Sequence, residues 1–101
     1  MTERMIAALT QGKDESIVYS FSTVIWGSNA SGILVKAYDV SDGGMSDVSS
    51  TVLSGSATVV NNVIILPAVQ ALIANHQYRI EVKFTADGNT FEPYILIMGE
   101  Q

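Results

Sequence analysis

His76 is the only histidine in the chain, and Asp39-Val40-Ser41-Asp42-Gly43-Gly44-Met45-Ser46-Asp47 is its densest run of carboxylates. A histidine that works as a general base needs a nucleophile or a carboxylate beside it. The sequence around His76, Ile73-Ala74-Asn75-His76-Gln77-Tyr78, supplies neither. A bend histidine that is exposed or hydrogen-bonded is the plainer reading. Calcium takes about six to eight oxygen ligands from a bending loop, so residues 39–47 are a conceivable weak site. The spacing D-x-[DN]-x-[DN]-G is not met, however, and no glutamate closes the loop. Asp14-Glu15 and Glu92 are a conceivable acid pair without an identifiable cleft, and solvated strand-end carboxylates account for them as well. Trp26-Gly27 offers an aromatic face of the kind that stacks on sugars. A tryptophan packed in a core or an interface at a strand end is the competing reading. No glycine loop suits a phosphate and no serine elbow is present. The chain is therefore expected not to be an enzyme, with no catalytic residue, cofactor or metal site.

Composition narrows the classes further. A length of 101 residues is one domain, near the size of a single β-sandwich. Apolar residues are 48% of the chain and charged residues only 15%, against roughly 25% charged in an average domain. Such a chain is expected to leave apolar surface for a partner. A net charge of −5, with five Lys and Arg spread along the chain, argues against nucleic acid. With no cysteine, disulfides and thiolate metal sites are excluded. Met5 to Leu9 is too short an apolar run for a signal peptide. The stretch from Ala57 to Ala74 is interrupted by Asn61-Asn62, Pro67 and Gln70, so it is not expected to span a bilayer. A soluble protein made in the cytosol follows as the expectation.

The elements that would position these residues are strands. From Tyr78 to Thr85 every even position is apolar and every odd one charged or polar, which puts Tyr78, Ile80, Val82 and Phe84 on one buried face. Ser16–Trp26 is predicted as a strand whose first core face is Ile17, Tyr19, Phe21, Thr23 and Ile25. Ile33–Val40 is predicted as the next, with Leu34 and Tyr38 opposite Ile33, Val35 and Ala37. Residues 41–47 form a loop, and Val48–Leu53 continues extended. Asn61-Asn62 and Asp87-Gly88 are hairpin signals, because these residues accept positive φ. A turn of helix is expected over Ala68–Ala74 after Pro67. Phe91–Met98 is the last strand, with an edge or a bulge at Pro93. Residues 1–13 are expected to be an N-terminal arm and residues 14–101 the folded domain.

About seven antiparallel strands in two facing sheets is the arrangement this spacing implies. Leu72, a short polar bend and a strand-opening Tyr78 resemble the tyrosine corner of immunoglobulin-like sandwiches, in which the phenol hydroxyl bonds back to upstream backbone. The expected fold class is thus an all-β, immunoglobulin-like antiparallel sandwich with an extended arm. Leu72, Tyr78, Ile80, Val82 and Phe84 are its structural residues.

A second resemblance rests on Asp14, Tyr19-Ser20-Phe21 and Trp26, then Tyr78-Arg79-Ile80-Glu81-Val82, Asp87-Gly88-Asn89-Thr90-Phe91 and Ile95-Leu96-Ile97. The pattern covers most of residues 14–98 and resembles immunoglobulin-like accessory structural proteins of tailed-phage virions, among them capsid decoration and cement proteins. The chain departs from that look at Ala74-Asn75-His76, where a Gly-Gly turn is usual. The resemblance implies a bacteriophage virion protein made in the host cytoplasm, located on the outer capsid surface, binding the major capsid protein and stabilising the shell. A carbohydrate- or receptor-binding module of a tail, neck or fibre is the alternative. Arg4, Met5, Ile6 and Leu9 in the arm, with Trp26, Leu34 and Tyr38, are the candidate partner-binding residues. Self-association as a dimer or trimer is expected, with neither nucleic acid nor membrane as a partner.

Overall fold

Alternation starting at Tyr78 holds to the end of its segment. In the computed structural model, which describes residues 4–101, Gln77–Ala86 is one strand of ten residues. Tyr78, Ile80, Val82, Phe84 and Ala86 are buried, and the odd positions between them face the other way. In chain order the elements are β1 (Met5–Gly12), β2 (Ser20–Ser22), β3 (Ser31–Asp39), β4 (Ser46–Asp47), α1 (Ser49–Val52), β5 (Leu53–Ser54), β6 (Thr58–Val60), β7 (Val63–Ile65), β8 (Ala68–Val69), β9 (Gln77–Ala86), β10 (Asn89–Phe91) and β11 (Tyr94–Glu100). The large sheet has the order β1-β11-β9-β3-β4. One edge of β9 carries β3; the other carries β10 and then β11. The break between those two falls at Glu92-Pro93, where proline has no N–H to give the ladder. The Pro93 carbonyl still accepts from Val82 N–H at 2.9 Å.

Two small sheets, β2-β7-β6 and β5-β8, complete an all-β fold. Phe21, Ile64, Leu66, Val69 and Val52 from that side share one core with Ala37, the even positions of β9, Ile95 and Ile97. Both hairpin signals act as expected. Asn61 and Asn62 have φ of 49° and 65° between β6 and β7, and Asp87 and Gly88 have φ of 50° and 79° between β9 and β10. These pairs match the left-handed turns that suit the twist of adjoining strands.

The Tyr78 hydroxyl accepts a hydrogen bond from Ile73 N–H, five residues upstream, at 2.9 Å. Leu72 is buried beside it. The bend is also tied to the last strand, because Asn75 N–H donates to the Gly99 carbonyl at 2.8 Å and Gly99 N–H to the His76 carbonyl at 2.9 Å. A Cβ at position 99 would run into the Ile73 carbonyl, so glycine is required by close approach.

Several expectations are corrected. The arm is not free: residues 1–3 lie outside the described residues, but Met5–Gly12 pairs with β11 from Met5↔Tyr94 to Gly12↔Glu100. That pairing is parallel, so the sheet is not wholly antiparallel. Gln11 is buried at 1% exposure and anchors the strand. Its amide donates to the carbonyls of Val69 at 2.7 Å and Glu15 at 3.0 Å, and its oxygen accepts from the Tyr19 hydroxyl at 2.8 Å. The strand expected over Ser16–Trp26 shortens to β2 plus a bridge between Ile17 and Val69. Ile25 leaves the core because Trp26 and Gly27 N–H groups both turn back to the Thr23 carbonyl. Val48–Leu53 is not extended, since α1 occupies its middle. Ala68–Ala74 is not helical but begins with β8 and then bends, with Ala71 at φ 53°. The last strand is Tyr94–Glu100, and Phe91 belongs to the preceding hairpin. About seven strands become eleven segments among the described residues, as several are two- or three-residue pairings.

Three substitutions test this layout by urea unfolding. Tyr78→Phe leaves the Ile73 N–H without its acceptor and is expected to cost about 1–3 kcal/mol. Phe84→Ala is expected to cost about 3–5 kcal/mol, and Lys83→Ala to stay within about 0.5 kcal/mol. Equal losses at Phe84 and Lys83 would overturn the assignment of faces. The paired β1 gives a second test: deleting residues 2–12 should lower the melting temperature clearly, whereas a dispensable arm would leave it unchanged.

Candidate functional site

The polar groups that looked most chemical are joined to one another at the corner between β3 and β9. His76 Nδ1 lies 2.7 Å from Asp39 Oδ2. The Ser41 hydroxyl donates to Asp39 Oδ1 at 2.6 Å and Ser41 N–H to the same oxygen at 3.0 Å. Ser41 Oγ in turn accepts from Gln77 N–H at 2.9 Å. A Ser-His-Asp relay needs the imidazole between the hydroxyl and the carboxylate. Here Ser41 and His76 both converge on Asp39, so the serine gains no base. The cluster sews the end of β3 to the start of β9. Burial pushes the Asp39 carboxyl upward, but the bonds from Ser41 and His76, together with the charge of a protonated His76, hold it below the ordinary aspartate range.

The carboxylates of the 39–47 loop serve separate turns. Asp42 Oδ1 accepts from Gly44 N–H at 3.2 Å, while Asp47 Oδ1 accepts from the Ser49 N–H at 3.0 Å and hydroxyl at 2.7 Å. Those Ser49 bonds, backbone first, hold the Asp47 carboxyl low. Among the described residues no group of three or more His, Asp or Glu is placed to hold a metal ion.

The residues expected to meet a partner divide into two surfaces. Met5, Ile6 and Trp26 come together with Phe21, Ser22 and Ile25 around a groove of about 380 Å³. The Trp26 ring makes edge-to-face contacts with Phe21 at 5.8 Å and Phe84 at 6.0 Å, which anchor it in the aromatic cluster. What projects beside the groove is the tight turn after β2, where Val24 is 70% and Ile25 66% exposed, with Met5 at 43% across from it. Thr23, fully buried, fixes this turn: its N–H donates to the Asn62 carbonyl at 2.8 Å and its hydroxyl to the Gly27 carbonyl at 3.0 Å. Leu9 packs against the core and joins neither surface.

Leu34 and Tyr38 lie on the outer face of the large sheet. Cross-strand partners share a face, and Leu34 pairs Lys83 while Tyr38 pairs Arg79. On the other side of β9, Tyr94 pairs Glu81 and Leu96 pairs Arg79. The Arg79 guanidinium sits 3.8 Å from the Tyr94 ring centre and donates through Nε to Glu81 at 2.7 Å. Arg4 reaches the same ring from the sheet's rim, at 5.7 Å, and donates to the Glu92 carbonyl at 3.2 Å. Tyr94, Leu96 and Arg79 are not among the partner-binding residues expected from the sequence. The alternation of Tyr94, Leu96 and Met98 with Ile95 and Ile97 carried the signal. No protein-family model matches the chain, and no significant match is found among curated proteins.

The Asp39 cluster gives a pH prediction. Its folded carboxyl titrates below the unfolded value of about 3.9, so its stabilisation is present above that value and is lost as pH falls through the lower, folded one. Asp39→Asn should therefore melt below wild type at pH 6, with the gap closing below about pH 4 as the wild-type carboxyl protonates. A gap that stayed constant down to about pH 2–3 would remove the ionised carboxylate as its cause.

Proposed function

We propose that this chain is a non-enzymatic structural protein of a tailed-phage virion, an immunoglobulin-like module that attaches to the outer capsid surface as a decoration or cement protein. The immunoglobulin-like reading is supported by strand order. In that fold one sheet contains neighbours B, E and D and the other G, F and C, with C′ added beyond C in variable-type domains. Here β2-β7-β6 and β11-β9-β3-β4 follow those orders in chain sequence. Tyr78 opens the strand in the F position with its hydroxyl tied to the bend before it, as a tyrosine corner requires.

Attachment is carried by one observation, the exposed Val24-Ile25 turn beside the groove of Met5, Phe21 and Trp26. Exposed apolar knobs on a rigid turn lose little entropy when they dock, so they suit insertion into a neighbouring surface. Repetition over a symmetric shell turns weak single contacts into strong attachment. Together with a chain only 15% charged, this favours a packing role over a catalytic one. The binding partner on this reading is the major capsid protein, and synthesis takes place in the host cytoplasm.

Sedimentation with shells of the encoding virus, assembled without this protein, tests the reading. Wild type should pellet with the shells. Ile25→Asp, at an exposed turn, should keep the wild-type melting temperature and lose at least about tenfold in attachment, equivalent to about 1.4 kcal/mol. Absence of the protein from purified virions by mass spectrometry, with no binding to such shells, would end the proposal.

A further inference from the structure

The geometry points to a second copy of this chain as the occupant of the large sheet's outer face, related by a two-fold axis that sets Arg79 of each copy against Glu81 of the other. Charge is distributed unevenly over the molecule. Arg4, Lys36, Arg79 and Lys83 lie on or at the rim of this face, with Asp47, Glu81, Glu92 and Glu100. Four cations against four anions leave it neutral. The remaining described residues carry one cation, Lys13, against five anions, a net of −4. Two acidic molecules can therefore approach by this broad face without strong like-charge repulsion.

The pattern on the face is self-complementary. Along the outer side of β9 the signs run Arg79, Glu81, Lys83. A two-fold axis beside Ile80, midway between the first two, brings each against its opposite in the other copy. The intramolecular Arg79–Glu81 pair then becomes half of a four-charge square. Contacts of this kind fix register and orientation more than they add affinity. Apolar surface around the pair supplies the attraction: Leu34 is 51% and Met98 38% exposed, and Tyr38, Tyr94 and Leu96 are part-exposed on the same side. An isologous contact of this form closes at two copies and leaves no open end.

Size sets the strength. Four strands by five residues span about 19 Å by about 17 Å at the usual strand spacing and rise. That footprint is small for a stable dimer, so dissociation in the range of about 10–100 μM is expected. The contact uses a different surface from the Val24-Ile25 turn, and it is measured without any shell present, so either reading can fail while the other stands.

Sedimentation equilibrium of the full chain, from about 1 to 500 μM, is the test. Wild type should show a reversible monomer–dimer equilibrium. Arg79→Glu and Glu81→Arg should each be shifted at least about tenfold toward monomer, because each sets like charges across the axis. An equimolar mixture of the two variants should recover the dimer, since both cross-axis pairs in the mixed dimer again join opposite charges. Leu34→Asp, at an exposed site outside the ion pair, should weaken association as well, and circular dichroism verifies that each variant is folded. A wild type that stays monomeric throughout, charge variants that dimerise like wild type, or a mixture with no recovery would each overturn the proposal.

Discussion

Strand β9 is bonded along both edges, by β3 on one side and by β10 and β11 on the other. Its two-residue period is therefore imposed on the whole large sheet. Register leaves little freedom: a slip of one residue would drive Arg79, Glu81 and Lys83 into the core and expose Tyr78, Ile80, Val82 and Phe84. Burying three charges without partners costs far more than any gain from new contacts. The corner at Tyr78 fixes where the strand begins, and Gly99 fixes how closely β11 can pass behind that corner. The core inside and the mixed charged and apolar face outside both follow from this one alternation.

What was legible in the sequence was local. The alternation after Tyr78, the Asn61-Asn62 and Asp87-Gly88 turns, and the interruption at Pro93 all depend on φ preferences or on a period that a short window contains. What was not legible depends on residues far apart. The pairing of Leu9 with Ile97 joins positions near opposite ends of the chain, and nothing in Met5–Gly12 announces a parallel partner. Gln11 looks like a polar loop residue, yet its amide and oxygen bond two carbonyls and a hydroxyl and so tie β1 to the segments beside it. The short α1 in a β-rich stretch has a similar origin. The Ser49 hydroxyl accepts from Ala37 N–H at 2.8 Å, and this pins the helical turn to β3.

The candidate surfaces were partly visible for the same reason. Leu34 and Tyr38 stood out because they break the inner pattern of β3, and their outer placement holds. Ile25 departs from the expected core face because the strand already stops at Ser22. A buried threonine that organises a turn is hard to read from one sequence, since Thr23 also fits the strand pattern. Arg79 stacked on Tyr94 required knowing which strand lies beside β9.

The polar residues closest to chemistry are consumed in holding corners together. Asp39 gathers Ser41 and His76, Gln11 gathers Tyr19, and Thr23 gathers Gly27 and Asn62. Among the described residues no buried side-chain nitrogen or oxygen lacks a hydrogen-bond partner. Exposed apolar side chains are found, among other places, at two separate ones. One is a knob and groove at the end of the fold, and the other a broad face on the large sheet. Surfaces in different places can be occupied together, and linking two modest contacts makes the second intramolecular. On the proposed reading, a small charge-poor protein would gain firm attachment in that way without needing either contact to be strong.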